Sequence, residues 1–180
     1  EAKYVLKCRP QLLAVNCNST RFSVVDINGI LTFFEMDSAG GPSSTESNGR
    51  YLNVERKDVW DMLWSDDNPE LFAMMEKTRM YIFRGEEPEE PVSSSGYLCK
   101  FSDLEVRAAL LDEIMVTPDR PNRDFIINFE TRSLRDTRSI LSEVGLKDTY
   151  KFVQSNPHPR LWRMLAEAAL EQLEFSVSEE

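Results

Sequence analysis

The sequence predicts an α+β chain organised by segments. Blades of an antiparallel β-propeller occupy residues 1–130, and the first helices of an α-solenoid occupy residues 131–180. Three observations carry that prediction. Short apolar and aromatic runs recur with polar turns between them and no helical interval, as in antiparallel all-β architectures. Two stretches, NSTRFSVVDINGILTFFEMD (18–37) and NPELFAMMEKTRMYIFRG (68–85), share a layout of turn, strand, turn and aromatic-bearing strand. Repetition at that scale marks propeller blades, each of which packs only on its neighbours. At about residue 131 the apolar period then changes from strand-like to helical.

The strands run in order. QLLAVNCNS (11–19) is a short apolar run ending in a turn, and RFSVVDI (21–27) and ILTFFEM (30–36) flank Asn28-Gly29. That dipeptide between β-rich runs predicts a type I′ hairpin, because both central residues of such a turn need positive φ. The turn sits where WD-type repeats join their second and third strands. DSAGGPSSTESNG (37–49) lacks large apolar residues and reads as a solvated loop. RYLNVER, VWDMLWS, LFAMMEK and RMYIFRG form the second set, and Trp60-Asp61 stands at the start of a strand, where the dipeptide is not diagnostic. GEEPEEPVSSSG (85–96) reads as a loop whose acids are a solvated edge, and YLCKFSD, VRAALLDEIMV and RDFIINFE as further strands. A β-sandwich is the alternative that this pattern admits.

The helices follow. In TRSLRDTRSILSEVG, Ser133 and Asp136 form a variant capping box, Leu134, Ile140, Leu141 and Val144 keep helical spacing, and Gly145 fits the C′ position. Asp148 is the expected N-cap of a short second helix. Asn156 and His158 each precede a proline, which pushes them out of the α region, and Pro159 suits a first helical turn. Beyond it Leu161, Leu165, Ala169 and Leu173 share one face, with Trp162 and Ala166 beside them. Trp162-x-x-Leu165-Ala166 partly matches the TPR core. This face predicts packing on the next helix of the same polypeptide, with a partner-binding groove as the second reading. It asks for a hairpin partner that these 180 residues do not supply.

Composition excludes several functions. A net charge of −10 opposes a nucleic-acid footprint and adsorption to anionic lipid. No apolar run reaches the length of a membrane span, so direct membrane insertion is not expected. Cys8, Cys17 and Cys99 are widely spread without a CxxC, so no zinc site is expected, and each reads as a buried, reduced thiol. The start at Glu1-Ala2-Lys3 and the end at SVSEE read as a piece of a longer polypeptide.

Catalytic readings are few. His158, the single histidine, could serve a cysteine nucleophile, but no acid or amide is placed to orient it, and a helix cap or linker is the simpler role. Asp66-Asp67, Glu86-Glu87 and Glu89-Glu90 lack metal-loop spacing. No phosphate loop occurs, and Trp60, Trp64, Phe72, Tyr81 and Phe83 read as core between blades rather than a ligand cage. No catalytic residue, metal ligand, cofactor or small-molecule substrate is expected.

The strings VWDMLWSDDNPELFAMMEKTRMYIFRG (59–85), LEVRAALLDEIM (104–115), NFETRSLRDTRSILSEVG (128–145) and NPHPRLWRMLAEAAL (156–170) together resemble the WD-repeat subunits of intraflagellar transport complex A. The resemblance covers nearly all of the chain and is weakest over 37–49. It implies two WD-like propellers followed by a long TPR-like solenoid. On that template residues 1–130 are the last blades of the second propeller and 131–180 the start of the solenoid. It also implies a non-enzymatic scaffold that supports retrograde ciliary transport, movement of membrane proteins into the cilium and cilium assembly. Its partners would be other complex A subunits, and its places the cilium, the ciliary base and the cytoplasm. Vesicle-coat subunits share the layout and are the alternative, with a Cys/His hydrolase a distant third. Missing blades would leave sheet edges open, so a piece of this size is expected to aggregate.

Overall fold

The computed structural model describes residues 6–36, 50–120 and 122–172, so the loop over 37–49, Leu173 and both chain ends lie outside the described residues. Contacts divide the chain into two units, Glu1–Ser102 with Val106–Asn128, and Asp103–Glu105 with Phe129–Glu180.

In the first unit β1 (Pro10–Val15), β2 (Arg21–Asp26), β3 (Leu31–Glu35) and β4 (Arg50–Arg56) form an antiparallel sheet in chain order. The second sheet places β5 (Val59–Trp64), β6 (Leu71–Glu76) and β7 (Arg79–Arg84) side by side. The third orders β10 (Tyr97–Ser102), β11 (Glu105–Ala109) and β12 (Ile126–Glu130). Each sheet is a meander of sequence neighbours, as in propeller blades, rather than the Greek-key crossing of a sandwich. The repetition extends to detail. The β1–β2 register shifts between Pro10 and Leu12, and the β5–β6 register shifts at the matching place, between Val59 and Asp61.

The core lies between the first two sheets. Phe33 stands edge-on to Phe72, with centroids 4.8 Å apart, and to Trp64 at 5.8 Å, and Val25, Leu31, Val59, Met62, Met74 and Phe83 complete the cluster. Edge-to-face pairs add to the area term because ring edges are positive and faces negative. The run LFAMM in β6 has no polar alternation because both of its faces are covered: all five residues are buried.

Several sequence expectations are corrected. The Asn28-Gly29 connection is not type I′, because only Gly29 (φ +74) is left-handed. The Asp26 carboxylate accepts the N–H groups of Asn28 (2.8 Å) and Ile30 (2.9 Å) and favours the longer loop that ends in a left-handed glycine. A two-residue turn with both residues left-handed occurs instead between β10 and β11, at Asp103 (φ 54) and Leu104 (φ 61). VRAALLDEIMV is not one strand: β11 stops at Ala109 and α1 (Leu111–Val116) follows, its first turn carrying Asp112 and Glu113. Short apolar runs do not separate strand from helix, and acids in the first turn favour the helix. The acidic loop 85–96 contains β8 (Glu87–Pro88) and β9 (Val92–Ser93), both paired to β7. Proline and glutamate suit such an exposed edge.

The second unit holds α2 (Arg132–Glu143), α3 (Leu146–Ser155) and α4 (Pro159–Glu171). The N-cap of α2 is Thr131, not Ser133, whose buried hydroxyl lies 3.2 Å from that of Thr131 inside the helix, while Asp136 pairs with Arg132. The N-cap of α3 is Gly145 rather than Asp148, which sits in the first turn and pairs with Lys151. Gly145 (φ +115) donates its N–H to Ile140 and begins α3 at once. A glycine lets one residue end one helix and start the next, which moves Asp148 inside. Val144, expected on the apolar stripe, is 62% exposed at that corner.

Candidate interaction surface

The structure places the predicted α4 face on the inside of its unit. His158 is the N-cap: its backbone is extended (φ −152, ψ 139), its Nδ1 accepts the Arg160 N–H at 3.2 Å, and Pro159 opens the helix. Leu161, Leu165 and Ala169 are buried, and Leu165 and Ala169 cluster with Leu146, bordered by Leu141, Tyr150, Trp162 and Ala168. Trp162 is half-buried and meets Tyr150 edge-on at 5.6 Å. The expectation that this stripe needs a partner helix absent from the chain is therefore corrected: α2 and α3 lie against α4. Leu173 lies outside the described residues.

The outward side of α4 borders a groove lined by Asp103, Arg138, Pro159, Arg160, Arg163, Met164 and Glu167. Three of the lining residues are arginines, and each is held by a carboxylate. Arg138 grips both oxygens of Glu130, at 2.8 and 2.7 Å. Arg160 donates to the Glu105 carboxylate at 2.9 Å and to the Asp103 carbonyl at 2.6 Å. Arg163 reaches Glu167 at 2.8 Å, one turn on. The hydrogen bond from Arg138 to Glu130 raises the pKa of that guanidinium, and Glu167 does the same for Arg163, so both stay charged throughout the working range of pH. The arrangement suits polar protein–protein contact. It brings together no nucleophile and base, and sequence reasoning missed it because only the Arg163–Glu167 pair has local spacing.

Arg160 also braces the turn beneath it. Leu104 is left-handed without being glycine, a conformation that costs about 1 kcal/mol or more. Leu104 is buried, its carbonyl accepts the Thr131 N–H at 2.9 Å, and the Arg160 guanidinium spans Asp103 and Glu105.

The remaining candidates disperse. Cys17 and Cys99 are exposed and Cys8 is partly so, against the expectation of three buried thiols, because Cys17 falls in a turn and Cys99 on the outward side of β10. Asp67 accepts the Ser65 hydroxyl at 2.7 Å. Trp64, Phe72 and Phe83 are buried, Trp60 donates its Nε1–H to the Lys77 carbonyl, and Tyr81 lies under Arg56 at 5.0 Å. Among the described residues no group of three or more His, Cys, Asp or Glu could hold a metal ion, and no helix is long and apolar enough to cross a membrane.

Residues 1–130 match the family described as WDR35 second beta-propeller. The chain belongs to that family. The WDR35 propeller family accounts for the first unit's consecutive meanders and shared aromatic core. The WD repeat-containing protein 35 of Rattus norvegicus is 54% identical over 179 residues, 99% of this chain and 15% of the relative. The proteins of the same name from Mus musculus and Homo sapiens are 54% and 55% identical over the same length. The chain thus spans about 15% of the length of the relatives it matches.

Proposed function

We propose that this chain is part of a non-enzymatic scaffold subunit of intraflagellar transport complex A. The subunit supports retrograde ciliary transport, movement of membrane proteins into the cilium and cilium assembly. It works at the cilium, the ciliary base and in the cytoplasm, with other complex A subunits as its partners. The observation that carries this reading is identity of 54% or more with mammalian WD repeat-containing proteins 35 across 99% of the chain, taken with the family resemblance of its long strings. The geometry agrees with a scaffold: the single histidine caps a helix and each groove arginine is held by a carboxylate. Tagging the full-length polypeptide in a ciliated cell tests it. The expected result is signal at the ciliary base and along the axoneme, with complex A subunits in the purified material. Uniform Golgi staining without a ciliary-base signal would overturn it in favour of a vesicle coat.

A further inference from the structure

Between β11 and β12 the chain leaves the sheet for α1 and a 3-10 turn (Arg123–Phe125), and the excursion closes where the Leu110 N–H donates to the Phe125 carbonyl at 2.8 Å. No residue of α1 is buried. Leu111 is 37% exposed, Met115 74% and Val116 76%; with Ile126 at 49%, they are four of the ten large apolar side chains exposed among the described residues. Such residues scattered singly are ordinary, whereas four of them fall within positions 111–126. Leu111 and Met115 stand one helical turn apart. Among the described residues nothing covers most of the Met115 and Val116 surface. The setting is acidic: Asp112, Glu113, Asp119 and Asp124 against Arg120 and Arg123, a net −2 (4 acids less 2 arginines) over residues 111–126.

We propose that this excursion is a docking tip that seats the apolar face of α1 in a groove on a protein partner with a basic rim. The acids choose that occupant. Asp112 and Glu113 follow Leu111 directly in the first turn of α1, where cations across an interface steer association and fix register. The same acids are repelled by an anionic bilayer, which attracts Lys and Arg. Methionine adapts to an irregular groove, and the Leu110–Phe125 bond closes the base of the excursion.

The test places a photo-crosslinking amino acid at position 115 of the full-length polypeptide in its own cells and maps the joined peptide by mass spectrometry. Expected is a crosslink to one protein segment that is apolar and flanked by Lys or Arg. Met115→Asp with Val116→Asp lowers its yield about tenfold or more, and Asp112→Lys with Glu113→Lys lowers it while removing its salt dependence. Four results overturn the proposal: capture of lipid, capture of this same polypeptide, capture of a segment without basic residues, or a yield no higher than from the exposed position of Lys57. The outcome is independent of whether the partner belongs to a ciliary complex.

Discussion

The first and second sheets share strand order, register shift and hairpin layout, yet they are buried differently. In the second, Leu71 to Met75 are all 0% exposed. In the first, one face joins the shared aromatic core. The other carries the smaller cluster of Phe22, Val24 and Phe34, bordered by Leu6, Cys8, Met36 and Tyr51. On that face Leu13 pairs with Val24 and Val15 with Phe22, and Leu13 and Val15 remain 57% and 45% exposed. The two sheets differ in their place in the array more than in sequence pattern. A repeat sheet is finished only between two neighbours, and its energy resides in the interfaces.

The largest test of that difference removes one ring from each sheet. Phe72→Ala, in the run with no exposed surface, costs about 3–5 kcal/mol, whereas Phe22→Ala, whose cluster is bordered by partly buried side chains, falls at the low end of that range. Native-state amide exchange in the full-length polypeptide reads both, and equal losses would erase the distinction. Next is a buried bond between the sheets: the Trp64 Nε1–H donates to the Ser23 hydroxyl at 3.0 Å. Ser23→Ala strands that donor and costs about 1–3 kcal/mol, with a shift in tryptophan emission.

The paired turns respond unequally. Gly29→Ala costs about 1–2 kcal/mol, because φ is +74 and the new Cβ would lie 3.3 Å from the Val59 carbonyl oxygen. Lys77→Gly at φ 53 stays within about 0.5 kcal/mol of neutral, since relief of strain offsets a more flexible unfolded chain. Thermal unfolding of both variants compares them directly.

The smallest effect is a pair of opposed pH responses. The Ile30 N–H, with Asn28, holds the Asp26 carboxyl below the usual range against some desolvation. Burial pushes Asp61 above it, although the N–H groups of Leu98 and Met62 pull the other way. Asp26 therefore contributes stability that is present above the ordinary carboxylate pKa and lost as pH falls through its folded value. For Asp61 the folded state holds its proton more tightly, so stability declines as pH rises from the ordinary value through the folded one. After correction for intrinsic rates, protection of the Ile30 amide rises with pH in the acid range, whereas the Asp61 contribution to the global unfolding free energy, read by chemical denaturation, falls. Asp26→Asn and Asp61→Asn each flatten their own response.

Strand positions were legible because Val, Phe, Tyr and Met runs fit a pleated buried surface, and the α4 start was legible because Pro159 cannot sit inside a helix. The hairpin at Asn28 was legible in place but not in type, since the Asp26 side chain competes for the turn's amides. Leu110 to Val116 misled because a short apolar run lacks a readable period. The α4 stripe was read, but its cover was not: nothing in Leu161, Leu165 and Ala169 tells that helices earlier in the chain fill the role. The groove was unreadable for a similar reason, as Arg160 meets Glu105 55 residues away.

That separation also has a meaning in time. The carbonyl of Asp103 and the guanidinium that grips it are 57 residues apart. At synthesis rates of roughly 5–20 residues per second, Arg160 follows the turn out of the ribosome by roughly 3–11 s. For those seconds the β10–β11 hairpin must hold two left-handed residues, one of them leucine, without its clasp. The hairpin thus gains its clasp only from residues made after it.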